Sequence, residues 1–199
     1  MTKYFFHLLL IVFFIFASCA GTPKPKPQTM PQIPDPPKNI MGKGNVTSES
    51  MSGYLMQNNP QMNPASVGML ARVYIEEAAY EGINHDIAFA QMCLETGYLK
   101  YGGLVQPEWN NFCGLGAIGP EQPGLVFPDL RTGVRAHIQH LKAYATSEPL
   151  KLPLVDPRYK YVRLGSSPAI DGLAGTWAAD KMYSDKIAAI LQRLYDFAF

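Results

Sequence analysis

The chain has 199 residues, with 17 Lys and Arg set against 16 Asp and Glu and only 17% of residues charged. Residues 1–18 hold one lysine and no acid, so removing them leaves the two signs equal. That balance excludes a nucleic-acid binder built on a basic stripe, and it does not favour a partner held by net surface charge.

Lys3 begins a short basic region, residues 5–17 are almost continuously apolar, and Ala17-Ser18-Cys19 places small residues directly before a cysteine. This order reads as a lipoprotein signal, with residues 1–18 removed and the Cys19 thiol diacylated. The apolar run is short for a membrane span, and it gives way to proline and lysine rather than to a second hydrophobic segment. The alternatives are a retained anchor or an ordinary secretory peptide with an incidental cysteine, since Phe16 is bulky for its place three positions before a lipidated cysteine. The expected location is the cell envelope, with the protein anchored in a lipid bilayer through Cys19 and facing the periplasm or the cell exterior.

Seven prolines fall between Pro23 and Pro37, and glycine, serine, asparagine and isolated methionines follow. Residues 19–62 are therefore expected to be the lipidated cysteine and a disordered tether. At roughly 3 Å per residue such a tether reaches on the order of 100 Å. Asn45-Val46-Thr47 matches a glycosylation sequon, a three-residue pattern of little weight.

Residues 63–199 form one expected domain of about 135 residues, enough for a single core. Asn63 caps a helix opened by Pro64 and ended by Gly82, with Val67, Leu70, Tyr74 and Ala78 on one face. A second helix runs from the cap Asn84 to the C′ glycine Gly97. Residues 102–128 break into glycine, proline and asparagine and are expected to be loop with at most a small hairpin. Asp129 then caps a helix carrying Leu130, Val134, Ile138, Leu141 and Ala145, and a proline-rich connection leads to a last helix from about Lys181. The fold class is mainly α (α+β), a helical domain with a small β or loop lobe.

Glu95 closes the second helix. At 100° per residue it lies about 80° from Ile87, on the margin of the stripe formed by Ile87, Ala90 and Leu94. Partial burial and the negative end of the helix both favour the protonated acid. Such an acid can donate a proton near neutral pH, as glycosidic cleavage requires, because the leaving oxygen departs poorly until it is protonated. Taken alone, helix-end glutamates are so common that an ordinary boundary glutamate is the better account of the position.

Downstream stand Asn110-Asn111-Phe112-Cys113-Gly114, then Phe127-Pro128-Asp129-Leu130-Arg131-Thr132-Gly133, then Trp177-Ala178-Ala179-Asp180-Lys181-Met182-Tyr183. With Gln91-Met92-Cys93-Leu94-Glu95-Thr96-Gly97, this order resembles the glucosaminidase domain of glycoside hydrolase family 73, bacterial endo-β-N-acetylglucosaminidases that cut peptidoglycan. The likeness covers about residues 64–199. It implies a lysozyme-like fold with a groove between lobes, peptidoglycan glycan strands as the partner, Glu95 as general acid and Tyr183 at the family's tyrosine position near the reaction centre, where its phenol would bond the substrate N-acetyl group or the developing charge; core packing with Ile187 and Ile190 is the alternative. Asn110, Asn111, Phe112 and Trp177 are the candidate sugar contacts, although the asparagines can equally cap a turn and the tryptophan can be a structural anchor.

The remaining candidates are weaker. His137 and His140 are three apart on one helix, but no further ligand stands at supporting spacing, and neither a metal nor a cofactor is called for. Asp129 is the natural second carboxylate, yet capping explains it fully. Glu108, Glu121 and Asp180 have less to recommend them. With no pair identified, a substrate-assisted mechanism needing one protein acid stays open beside the two-carboxylate kind. If Cys19 is lipidated, Cys93 and Cys113 remain, as a disulfide worth roughly 3 kcal/mol or as two buried thiols. A monomer is expected. The reading is a lipid-anchored peptidoglycan hydrolase, with a lytic transglycosylase of the same fold and an inactive wall-binding lipoprotein as alternatives.

Overall fold

The computed structural model describes residues 33–199, which form one compact unit. Five α-helices carry them: α1 (Ser48–Asn58), α2 (Pro64–Glu81), α3 (His85–Thr96), α4 (Leu130–Ala145) and α5 (Tyr183–Ala198). The β lobe is one antiparallel pair, β1 (Ala117–Gly119) and β2 (Gln122–Pro123). The architecture is mainly α with a small β/loop lobe, as the sequence pattern implies.

The predicted caps are the observed ones. Asn63 accepts from the N–H of Ala65 and Ser66, Asn84 from those of Asp86 and Ile87, and Asp129 from that of Thr132. Gly82 and Gly97 end α2 and α3 in the left-handed conformation that glycine adopts without penalty. α3 departs from the expected single apolar face. Every residue from His85 to Cys93 is buried, because α2, α4 and α5 all pack against it. It is the central helix of the domain, with Glu95 at its end.

The tether expectation fails for residues 33–62. Ile40, Met51 and Leu55 are fully buried in the main core, and α1 packs on α2 and α5. Asn39 and Met41 make bridges to Ala169 and Ile83. Asp86, buried at the start of α3, accepts from the backbone N–H of Asn45 and Val46 and from the Tyr195 hydroxyl, so it pins this segment between α3 and α5. Ile40 and Val46 stand alone among prolines, glycines and polar residues, and α1 offers only one short apolar repeat, Met51, Tyr54 and Leu55 behind the cap Thr47, which the proline-rich stretch before it overshadows. Cys19 and residues 1–32 lie outside the described residues.

A chain beginning at residue 63 should therefore lose the cooperative thermal transition, whereas a mere tether would leave the melting curve unchanged. Met51→Ala alone should cost about 2–5 kcal/mol, as for a large side chain removed from a packed site.

Cys93 and Cys113 are free thiols, not a disulfide. Cys93 faces α5 beside Ala189 and Ile190, while Cys113 sits in a second cluster with Leu115, Phe127 and Ala136. The placement of Cys93 about 200° around α3 from Glu95 puts the helix itself between the thiols. Burial pushes both thiols up.

Candidate active site

Glu95 reaches the site from the last turn of α3, where the chain must turn sharply. Gly97 is followed by Tyr98, Leu99 and Tyr101, all at φ near +60°, a conformation that costs non-glycine residues energy. Thr96 holds this turn, its hydroxyl donating to the carbonyl of Met92 and accepting from the N–H of Leu99. The turn brings Tyr101 to the rim of a cleft of about 370 Å³, lined also by Glu95, Cys113, Gly114 and Trp177. Among the described residues, Glu95 is the only carboxylate that borders this cleft.

The two oxygens of Glu95 have different surroundings. Oε1 accepts the Trp177 indole N–H at 2.9 Å and the Tyr183 hydroxyl. Oε2 faces Gly114, where a side-chain Cβ would stand 3.8 Å away. Burial pushes the Glu95 carboxyl above its ordinary range, and the two donors oppose that shift without cancelling it. A proton on Glu95 therefore belongs on Oε2, the oxygen turned to the cleft, since the lone pairs of Oε1 are already engaged.

Residues 71–196 match the glucosaminidase family, described as mannosyl-glycoprotein endo-beta-N-acetylglucosaminidase. This chain belongs to that family. An uncharacterized protein of Borreliella burgdorferi is 42% identical over 158 residues, 79% of this chain and 78% of the relative. Among solved structures, S. aureus Autolysin E in complex with a muropeptide superposes with a TM-score of 0.51 at 15% identity, over 83% of this chain and 74% of that one. A catalytic mutant of Autolysin E, with alanine in place of a glutamate and bound to the disaccharide NAG-NAM, gives 0.50 at 14% identity, over 80% and 71%. These likenesses establish the lysozyme-like fold. The family match begins inside α2, so α1 and the segment before it complete the core of this glucosaminidase from outside the matched residues.

Tyr183 and Trp177 both meet Glu95. Tyr183 is only 5% exposed, and its hydroxyl is committed to Glu95 and to the Gln91 amide at 2.9 Å, so it does not stand free for an N-acetyl group. Burial first, and then the neighbouring carboxylate, hold that phenol un-ionised. Trp177 forms part of the cleft wall, its ring packed against His137, His140 and Tyr144 at 5.0–5.9 Å between centroids.

The asparagine motif is structural. Asn111 is buried; its amide donates to the carbonyls of Leu115 and Leu125 and its oxygen accepts from the Leu115 N–H, which staples the two sides of the loop lobe. Asn110 donates to the Phe127 carbonyl and lies so close to α4 that a Cβ at Gly133 would overlap its backbone oxygen. Phe112 is buried edge-on against Tyr74. Turn formation, the alternative to sugar contact, accounts for the contacts of the two asparagines, and core packing for those of Phe112.

The histidines are engaged in the fold. His137 bonds Tyr74 and Gln91, and burial pushes its ring down to about 3. His140 pairs with Asp156 at 2.7 Å. Asp129 serves as a helix cap, and Asp180 is an exposed partner of Lys186. Two site residues escape sequence reasoning, Gln91 and Tyr101. Gln91 sits one helical turn before Glu95, and a buried polar side chain at that spacing is the signal that can find it.

Proposed function

We propose that this glucosaminidase is a peptidoglycan hydrolase that cleaves the β-1,4 bond after N-acetylglucosamine, with Glu95 as general acid. The observation that carries the reading is the asymmetric Glu95 carboxyl, buried enough to hold a proton and turned by Oε2 toward the cleft. The ligands of the structural neighbours, a muropeptide and NAG-NAM, support the substrate class, and the glutamate replaced in the catalytic mutant supports an acid of this type.

One cleft carboxylate among the described residues favours assistance by the substrate. The carbonyl oxygen of the 2-acetamido group attacks the anomeric carbon as the glycosidic C–O bond breaks, and the leaving oxygen takes the proton from Oε2. Water then opens the cyclic oxazolinium, and the Glu95 carboxylate recovers the proton. Purified wall digested by the protein should yield new reducing N-acetylglucosamine ends, identified by mass and by end-group analysis. Anhydro ends would instead make it a lytic transglycosylase, and absence of release an inactive wall binder.

The membrane anchor belongs to the same proposal. Cys19→Ser should abolish acylation and move the protein to the soluble or secreted fraction, and unchanged retention would remove Cys19 from that role.

A further inference from the structure

A line of polar side chains leads from Glu95 away from the cleft, taking one member from each of four helices. The Tyr183 hydroxyl of α5 accepts from Nε2 of Gln91 on α3 at 2.9 Å. Oε1 of Gln91 stands 3.0 Å from Nε2 of His137 on α4, and Nδ1 of His137 stands 2.9 Å from the Tyr74 hydroxyl on α2. Gln91, His137 and Tyr74 are fully buried, so no water competes for these bonds.

Such a line can point either way. With every donor aimed toward the site, Tyr74 donates to His137, Nε2–H of His137 to Gln91, the Gln91 amide to Tyr183, and Tyr183 to Oε1 of Glu95. In the reverse sense the Gln91 amide is turned over, its oxygen accepting from Tyr183 and its nitrogen donating to His137, and a proton on Oε1 of Glu95 points at Tyr183, is buried behind the carboxyl and is lost to the cleft. Tyr74 breaks the tie. Among the described residues His137 is its only hydrogen-bond partner, so a Tyr74 hydroxyl that merely accepted would leave its own proton unpaired in the core.

We propose that Tyr74, His137 and Gln91 are positioning residues that fix the direction of the Tyr183 hydroxyl and thereby keep the transferable proton of Glu95 on Oε2. This rests on Glu95 being the general acid. Burial holds His137 neutral, so the line is a directional device and carries no charge.

The test uses Tyr74→Phe in the full chain, a shape-conserving change that touches neither cleft nor acid. With the far end released, both directions become available. The kcat should fall on the order of tenfold, below the roughly hundredfold of deleting a site donor outright, while KM stays within about a factor of two. Losing part of the Tyr183 donation also raises the Glu95 pKa, so the alkaline limb of the kcat profile should move to higher pH. The titratable groups beside Glu95 are Tyr183 and Cys113, both kept un-ionised by burial, so that limb reports Glu95.

Tyr183→Phe should reproduce both effects more strongly, and adding Tyr74→Phe to it should change nothing further, since the line acts only through that hydroxyl. Imidazole nitrogen shifts should show His137 protonated on Nε2. A wild-type limb and kcat in Tyr74→Phe, full additivity with Tyr183→Phe, or His137 protonated on Nδ1 would each overturn the inference. Hydrolysis by Glu95→Gln would overturn the acid assignment and this inference together. A dead Glu95→Gln with an unshifted Tyr74→Phe would remove the positioning line alone.

Discussion

Glu95→Gln is expected to reduce wall digestion on the order of a thousandfold or more while the protein stays folded, because the amide keeps the shape of the side chain and has no proton to transfer. The glutamine oxygen still accepts from Trp177 and Tyr183, so the cleft wall remains assembled. At pH 7 the variant should also melt at the same temperature as the natural protein or higher. The folded-state pKa of Glu95 is raised, so the folded state holds this proton more tightly than the unfolded chain does. Its contribution to stability is full below the unfolded pKa and is lost as pH rises through the folded one. Glutamine removes that neutral-pH penalty. Near-natural hydrolysis measured on purified wall would take Glu95 out of the mechanism.

A large loss of stability is expected from a single substitution where the C-terminal ends of α2 and α4 meet. Lys142 and Glu81 are both fully buried and pair at 2.8 Å; the carboxylate also accepts from the backbone N–H of Lys151 and Leu152, and the ammonium donates to the Pro149 carbonyl. Burial works to raise the Glu81 pKa, but Lys142 and the two backbone donors outweigh it and hold the carboxyl below its usual range. This stabilisation is present above the unfolded pKa and is lost as pH falls through the folded one. Lys142→Met leaves an unpaired buried carboxylate and should cost about 3–5 kcal/mol, a fall in Tm on the order of 10 °C for a domain of this size. The double variant Glu81→Gln, Lys142→Met should recover much of that loss. A Lys142→Met protein that melts at the natural temperature would mean the pair is not buried in solution.

The sequence made the helices legible because their ends carry local chemistry. Asn63, Asn84 and Asp129 as caps, with Gly82 and Gly97 as stops, act within a few residues of themselves, and the structure uses each as read. Glu95 was legible for the same reason, as a carboxylate closing an apolar helix before a glycine. What lay hidden depends on partners far away in the chain. Glu81 and Lys142 stand 61 positions apart, and Gln91 and Tyr183 stand 92 apart. The roles of Asn111 and Phe112 turned on burial, which a three-residue motif does not disclose. Residues 33–62 were hidden by composition, since Ile40 and Val46 enter the core singly between prolines, glycines and polar residues, and the one helical face, Met51, Tyr54 and Leu55, is too short to outweigh them.

The burial of α3 on all sides fixes where motion at the cleft can arise. Its amides lie beneath three packed helices, so they should exchange with solvent only when the whole domain opens. The facing wall is a two-stranded lobe whose Leu104, Ile118 and Val126 are exposed, with few buried apolar side chains to hold it shut. Its amides should exchange through local openings, many times faster than those of α3. Under the proposed function, a glycan strand entering the cleft meets an acid held by a rigid helix on one side and a wall free to open locally on the other.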